Sequence, residues 1–284
     1  MTLADVRTLA RKRPEQEFFI NRLYGAHVSP FFTVVCLRAG LSPDGVTLVG
    51  ALVGAVGVVL LALPLGPWAL AGVALLQVGY ILDFSDGQVA RMTGRSSVAG
   101  SYLDWLTHFY VPVAMVLAVG MSLAASFGWL GYVALAAVAA LELAGFAFSC
   151  REHVLIAMQR TDPGLGATAA FHAALMDDAR PADVVAAPEG PAATAAEHGI
   201  SGRTRHGGMR ALVGELLIYP GAVHLVTLAV VVDLVLAAVY GPIPAARAAL
   251  LVLWTIVFPL HLATAVRRNH RLIQAVEGRA RQRD

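Results

Sequence analysis

The chain has 284 residues, of which 57% are hydrophobic and 14% charged, and its mean hydropathy is +0.67. Soluble domains carry about 25% charged residues, so this composition excludes an ordinary soluble protein and predicts an integral membrane protein. The net charge of +2 favours no class of partner. The basic C-terminus is too modest a patch to indicate a nucleic-acid-binding protein.

The first 40 residues are predicted to form cytoplasmic, interfacial helices. Residues 2–25 mix basic and apolar side chains at roughly helical spacing, which is typical of an amphipathic helix on anionic headgroups. An ordinary solvated helix is the alternative. Residues 26–40 are apolar but too short to span a bilayer. The serine, proline and aspartate at residues 42–44 then supply the cap and first turn of a helix.

Six later segments are apolar over about the 20 residues that a spanning helix needs. They are residues 44–64, 67–90, 101–125, 129–150, 211–239 and 244–266. The sequence therefore predicts an all-α polytopic membrane protein with about six transmembrane helices, whose membrane domain occupies residues 41–284.

The arginines indicate the orientation of these helices. They concentrate at both termini and in the connections after the second and fourth segments, with Arg247 as the clear exception. By the positive-inside rule, both termini and those connections are cytoplasmic. Residues 160–208, rich in alanine, proline and glycine, are predicted to be a partly disordered cytoplasmic loop, and residues 268–284 a basic tail on anionic lipid. Lysine is scarce beside abundant alanine, arginine and glycine, which is typical of GC-rich coding. This favours a bacterial source, and so a location in the bacterial inner membrane.

Carboxylates at a membrane helix are expected to be functional, because burying them is unfavourable. Asp83, Asp86, Gly87 and Ala90 follow one another at spacings of three and four, which places them on one helix face. Two carboxylates separated by small residues would let a ligand approach the backbone closely.

The next helix repeats this spacing, since Gly100, Asp104 and His108 are each four residues apart. A short turn joins the two helices, so their polar faces can oppose one another. Three carboxylates and an imidazole would then converge on one pocket. Such a cluster requires cations, and oxygen-rich ligation favours one or two ions of Mg²⁺ or Mn²⁺.

Two arginines, Arg91 and Arg95, stand beside this pocket and could receive phosphate oxygens. A metal site of this kind is suited to stabilising the oxygens of a phosphoryl displacement. Residue chemistry alone therefore points to metal-dependent phosphotransfer at the cytoplasmic edge of the membrane.

The motif D-x2-D-G-x2-A-R-x8-G-x3-D-x3-H, from Asp83 to His108, resembles the signature of the CDP-alcohol phosphatidyltransferases. Seven of the eight fixed positions are present at the expected spacing, and the eighth is His108 where the family has an aspartate. The layout of about six helices after a cationic N-terminal helix is also similar to that family.

The resemblance implies transfer of a phospho-alcohol group from a CDP-alcohol, often CDP-diacylglycerol, to an acceptor hydroxyl, with release of CMP. It implies that Asp83, Asp86 and Asp104 ligate metal. It further implies CDP contacts from Asp83, Gly87, Ala90, Arg91 and Gly100, and a homodimer.

His108 replaces the residue that the family uses as metal ligand and general base. An imidazole can serve either role, and we expect His108 to take the proton of the acceptor hydroxyl. A structural histidine in an inactive homologue is the alternative.

Acceptor binding is assigned to Arg151 and Glu142, although an anchoring arginine and a structurally paired carboxyl are alternatives. Asp233 is assigned no role. His224 and His261 are interpreted as core histidines, and Cys36 and Cys150 as small apolar residues.

Other functions remain open. The same chemistry could use a small CDP-polyol or CDP-amino-alcohol as donor, with a lipid or glycan acceptor. A catalytically silent membrane scaffold and an ion-coupled transporter are the alternatives from other classes. A transporter would spread its acids near the midplane of several helices, whereas these acids cluster at one end.

Overall fold

The computed structural model describes residues 2–9, 24–95, 98–141, 221–243 and 245–281, and the regular elements in these ranges are all helices. They are α1 (Leu3–Leu9), α2 (Ala26–Arg38), α3 (Pro43–Leu61), α4 (Pro67–Thr93), α5 (Val98–Phe127), α6 (Gly131–Leu141), α7 (Gly221–Tyr240) and α8 (Ala245–Arg281). The prediction of an all-α protein is confirmed.

Five stretches in the described residues are long and apolar enough to cross a membrane: Pro43–Leu61, Pro67–Thr93, Leu106–Phe127, Gly221–Tyr240 and Ala245–Thr264. They coincide with five of the six predicted segments. The remaining segment, 129–150, is described only as far as Leu141, where α6 is shorter than a span. Its other residues, residues 10–23 of the N-terminal segment and the 160–208 loop lie outside the described residues.

The chain forms two compact units, of which the first comprises Met1–Leu141 and His206–Ile256, and the second Glu142–Arg205 and Val257–Asp284. In the first unit, α4 packs against α1, α2, α3 and α7. The helix that carries the first half of the signature is therefore central to this unit. In the second unit, the described residues belong to α8.

Close backbone contact joins α3 to α4. A Cβ atom added at Gly57 of α3 would lie 2.8 Å from the carbonyl oxygen of Gly72 on α4, and one added at Gly72 would lie 2.7 Å from that of Gly57. Small residues permit this approach, as they do at many helix crossings in membranes. The crossing fixes α3 beside the signature helix.

The local sequence sets the ends of the helices that border the site. Ser42 caps α3, because its Oγ accepts a hydrogen bond of 3.1 Å from the Gly45 N–H, which confirms the predicted cap. Gly94 ends α4 in the left-handed conformation, with φ at 65°. Glycine adopts this conformation readily, and the chain turns there towards α5.

A buried ion pair joins α7 to α8. The Arg247 Nε donates to Asp233 Oδ2 at 2.7 Å, and both side chains are fully buried. The Ala246 N–H also donates to this carboxylate, at 2.7 Å, so Asp233 caps α8 from another helix. Nothing in the local sequence around either residue indicates that these two isolated charges are partners.

Candidate active site

Residues of both halves of the signature line one open cleft, which has a volume of about 560 Å³ including its solvent-facing mouth. Its walls come from α3, α4 and α5 and the turn after α4. The lining residues are Pro43, Asp44, Thr47, Asp86, Gly87, Ala90, Arg91, Arg95, Gly100 and Asp104. The first turns of α3 and α5 thus face the C-terminal part of α4.

Asp86 is the most enclosed of the three signature carboxylates, with 8% of its surface exposed. Its Oδ2 accepts a hydrogen bond of 2.5 Å from the Thr47 hydroxyl on α3. This bond aims the carboxylate from a neighbouring helix, as outer partners of metal-binding carboxylates do. The sequence alone did not predict a role for Thr47, because nothing within α3 indicates which side chain lies opposite its hydroxyl.

The other two carboxylates meet His108. The Nε2 of His108 lies 3.6 Å from Asp83 Oδ2, and its Nδ1 lies 3.3 Å from Asp104 Oδ1. One donor atom from each of these three residues falls within 4.8 Å of the others. Residues from α4 and α5 therefore converge, while Asp86 lines the adjoining cleft and is not part of this triplet.

The main chain determines which nitrogen of His108 carries a proton. Nδ1 lies 2.9 Å from the backbone carbonyl oxygen of Asp104, and a carbonyl can only accept. In the neutral imidazole the proton is therefore on Nδ1, and the lone pair is on Nε2, facing Asp83. A carboxylate oxygen and a nitrogen lone pair repel each other, so their 3.6 Å separation is favourable only when a proton or a metal ion lies between them.

The donor set fits a divalent cation. Ligand atoms around one Mg²⁺ lie at most about 4.2 Å apart, and the three donor atoms all lie within 4.8 Å of one another. Two carboxylates and an imidazole suit Mn²⁺ as well as Mg²⁺. The exposed fractions of the Asp104 and His108 side chains, 47% and 34%, leave an entry path for an ion and a substrate.

Two arginines bring positive charge to the same cleft. Arg91 lies in the last turn of α4, and a Cβ atom added at Gly87 would lie only 3.3 Å from its Nη1, so Gly87 leaves room for the guanidinium group. Arg95 follows the turn at Gly94, is exposed and also lines the cleft. Carboxylates for a cation and guanidinium groups for phosphate oxygens therefore lie side by side.

Several predicted residues are not part of this site. Glu142, Arg151 and Cys150 lie outside the described residues, as does the side chain of His261. His224 lies in α7, where its Nδ1 is 3.1 Å from the Gln77 Nε2 of α4. Cys36 is a buried free thiol on α2, and burial raises its pKa.

Comparison with known families agrees with this geometry. The model of the CDP-alcohol phosphatidyltransferase family matches residues 41–186, about half of the chain. The protein therefore belongs to that family, which implies transfer of a phospho-alcohol group from a CDP-alcohol donor to a hydroxyl acceptor. Together with its apolar helices, this makes the chain an integral membrane protein of that family.

One relative is the Inner membrane protein YnjF of Escherichia coli (strain K12). It is 34% identical to this chain over 96 residues, which are 33% of the chain and 45% of the relative. The chain thus matches slightly less than half the length of this curated relative.

Proposed function

We propose that the protein transfers a phosphatidyl group from CDP-diacylglycerol to an acceptor hydroxyl, releasing CMP, as a step of phospholipid synthesis. The observation that carries the proposal is the convergence of Asp83, Asp104 and His108 beside a cleft lined by the remaining signature residues. The transferred phosphate and the acceptor can both reach that point from the open mouth of the cleft.

On the donor side, Gly87, Ala90 and Gly100 offer a wall without bulky side chains, against which the cytidine diphosphate can lie. The Arg91 guanidinium supplies charge-assisted hydrogen bonds to the phosphate oxygens. Holding the pyrophosphate in a fixed place aligns the phosphorus atom for attack, which accounts for a large part of catalysis in phosphoryl transfer.

On the acceptor side, His108 Nε2 takes the proton of the hydroxyl group. The acceptor oxygen then forms a bond to the phosphorus that bears the alcohol, and the bond from that phosphorus to the bridging oxygen breaks. CMP leaves with the electron pair. The Asp104 carbonyl keeps the ring oriented because it holds Nδ1–H while Nε2 accepts the proton.

Asp83, Asp86 and Asp104 would hold a divalent cation, and His108 would be a further ligand only in place of its role as base, because both roles use the Nε2 lone pair. When bound, Mg²⁺ or Mn²⁺ supplies positive charge that polarises the pyrophosphate and stabilises the oxygens of the displacement. Thr47 keeps one of these carboxylates aimed at the cleft through its 2.5 Å hydrogen bond.

The placement in the membrane is part of the proposal. The positive-inside rule favours a cleft that faces the cytoplasm, where CDP-alcohols and soluble acceptors would have access to it. A homodimer and acceptor contacts from Arg151 and Glu142 are proposed by resemblance to the family.

Purified protein in lipid nanodiscs tests the function by CMP release from CDP-diacylglycerol. We expect release with Mg²⁺ or Mn²⁺ and glycerol 3-phosphate, serine or inositol as acceptor, and none with EDTA. Asp83→Asn is the matched inactive control. Release from a CDP-polyol or CDP-amino-alcohol instead would reassign the donor, and folded protein that releases no CMP from any of these donors would refute the proposal.

A further inference from the structure

The face of α4 that points away from the cleft carries a buried polar contact with α2. Ser29 and Thr33 of α2 and Ser85 of α4 are 0% exposed, and Gln88 of α4 is 4% exposed. Four polar side chains this deeply buried require hydrogen-bond partners within the protein, and they find them in one another and in backbone carbonyl oxygens of the two helices.

The Gln88 amide is satisfied on both sides by α2. Thr33 Oγ1 donates to Gln88 Oε1 at 2.6 Å, and Gln88 Nε2 donates to Ser29 Oγ at 2.9 Å. Ser85 Oγ lies 2.8 Å from the Ile81 carbonyl oxygen and 3.3 Å from that of Ser29. The Gln88 amide thus forms hydrogen bonds with two hydroxyl groups that lie one turn apart on α2.

These residues interleave with the signature in the sequence. Ser85 lies between Asp83 and Asp86, and Gln88 lies directly after Gly87. At 100° per residue, Gln88 is rotated about 140–160° from each of the two aspartates, so its side chain points to the opposite side of α4. The contact that α2 makes with one face therefore determines where the other face points.

The polar part of this contact constrains the rotation more sharply than the apolar part does. Apolar side chains such as Cys36 and Val89 also pack between α2 and α4, but hydrophobic burial has no directional preference. Hydrogen bonds weaken steeply when they are misaligned. Side-chain atoms lie about 6 Å from a helix axis, so a rotation of 10° moves them by roughly 1 Å, enough to lower a rate about 100-fold.

We propose that Gln88 is a positioning residue, which acts through Ser29 and Thr33 to fix the rotation of α4 and so the directions in which Asp83 faces His108 and Asp86 faces the cleft. The inference rests on the proposed function, since it assigns α2 a role in that same site. It also explains why a helix too short to span carries two hydroxyl groups on its buried face.

The decisive experiment compares Thr33→Val, which keeps the shape and removes the hydroxyl, with Thr33→Ser, which keeps the hydroxyl and removes a methyl group. Val34→Ala is the matched packing control, because Val34 is the neighbouring residue on α2 and is buried against Val6. The readouts are kcat for CMP release, KM for CDP-diacylglycerol, Mn²⁺ affinity by electron paramagnetic resonance, and unfolding temperature.

We expect Thr33→Val and Gln88→Met to lower kcat at least tenfold and to weaken Mn²⁺ binding about tenfold, with KM changed less than threefold. Thr33→Ser should stay within about threefold of the unmodified protein in every readout, and Val34→Ala should lower only the unfolding temperature. The Thr33→Val, Gln88→Met double variant should be no worse than Gln88→Met. If Gln88→Met does not fold, the comparison of Thr33→Val with Thr33→Ser tests the inference by itself.

The result that overturns the inference is equal turnover and Mn²⁺ affinity of Thr33→Val and Thr33→Ser in an active protein, which would leave the proposed function intact. If the unmodified protein releases no CMP, the proposed function fails, and the Mn²⁺ affinities of the pair still decide the inference. A protein that neither releases CMP nor binds Mn²⁺ overturns both.

Discussion

His108 is the residue on which the proposed chemistry depends most. Its Nε2 faces Asp83, while the carbonyl oxygen of Asp104 holds its Nδ1. We predict that His108→Ala lowers kcat for CMP release about 100-fold or more, because general bases contribute about 10²–10⁴-fold. His108→Asp should recover part of this loss, since a carboxylate can also accept the proton.

Steady-state kinetics on both variants, with their unfolding temperatures as control, checks this prediction. Full turnover by His108→Ala would remove the residue from the mechanism. Activity in neither variant, at unchanged stability, would indicate that the imidazole itself is required, for instance as a metal ligand.

At the scale of helices, α3 and α4 form the pair on which the site is built. Gly57 and Gly72 bring their backbones into contact, and Thr47 of α3 then reaches Asp86 of α4. We predict that Gly57→Ala destabilises the protein by about 1–3 kcal/mol through overpacking and lowers turnover as well, because it displaces Thr47 relative to Asp86.

Gly54→Ala is the matched control for this substitution. Gly54 lies one turn earlier on α3, and a Cβ atom there would be an ordinary 3.8 Å from Val111 Cγ2. Thermal unfolding in detergent should separate the two variants clearly. Equal unfolding temperatures and turnover would show that the crossing tolerates a methyl group and that the helices do not depend on backbone contact.

The features that the sequence predicted correctly are those that depend on a single helix and not on its neighbours. Apolar length identified five described spans, and the i,i+4 spacing identified the polar face of α4, because both are local properties of a helix. Thr47 and Gln88 escaped notice because their importance depends on which helix lies opposite. The spacing of residues within α3 does not indicate that the Thr47 hydroxyl contacts Asp86, which lies 39 positions later in the chain.

At the scale of the whole first unit, the Asp233–Arg247 pair joins chain segments that are far apart in sequence. Arg247 Nη1 donates to Ser122 Oγ on α5 at 2.7 Å, and that hydroxyl donates to the carbonyl oxygen of Leu63 in the α3–α4 connection, also at 2.7 Å. One network thus ties α5, α7, α8 and this connection together. It lies at the ends of these helices opposite to the signature.

We predict that Asp233→Leu and Arg247→Leu each destabilise the protein by about 3–5 kcal/mol, because each leaves a buried charge without its counter-ion. The double variant should be more stable than either single variant, since it buries no charge. Thermal unfolding of the three proteins in one detergent measures this coupling. Additive losses would mean that the two side chains act independently.

The sequence could not predict this pair for a physical reason. Each charge is isolated in an apolar helix, and only the hairpin between α7 and α8 brings them together. Positional rules for charges near membranes treat arginine as an anchor in water and do not anticipate a fully buried cap. The end of the unit that holds the Asp233–Arg247 pair is therefore specified by tertiary contacts, whereas the end that carries the signature can be predicted from a local motif.

The bond from His108 Nδ1 to the carbonyl oxygen of Asp104 joins residues four apart on one helix. The imidazole is thus oriented by its own turn, since the Asp104 carbonyl oxygen holds Nδ1 at 2.9 Å and the Asp104 carboxylate lies 3.3 Å from the same nitrogen. An Asp-x3-His turn can therefore orient its own imidazole wherever a helix that carries a carboxylate lies opposite. Exchange of the last aspartate of the signature for histidine could accordingly arise in a single substitution, without compensating changes elsewhere on α5.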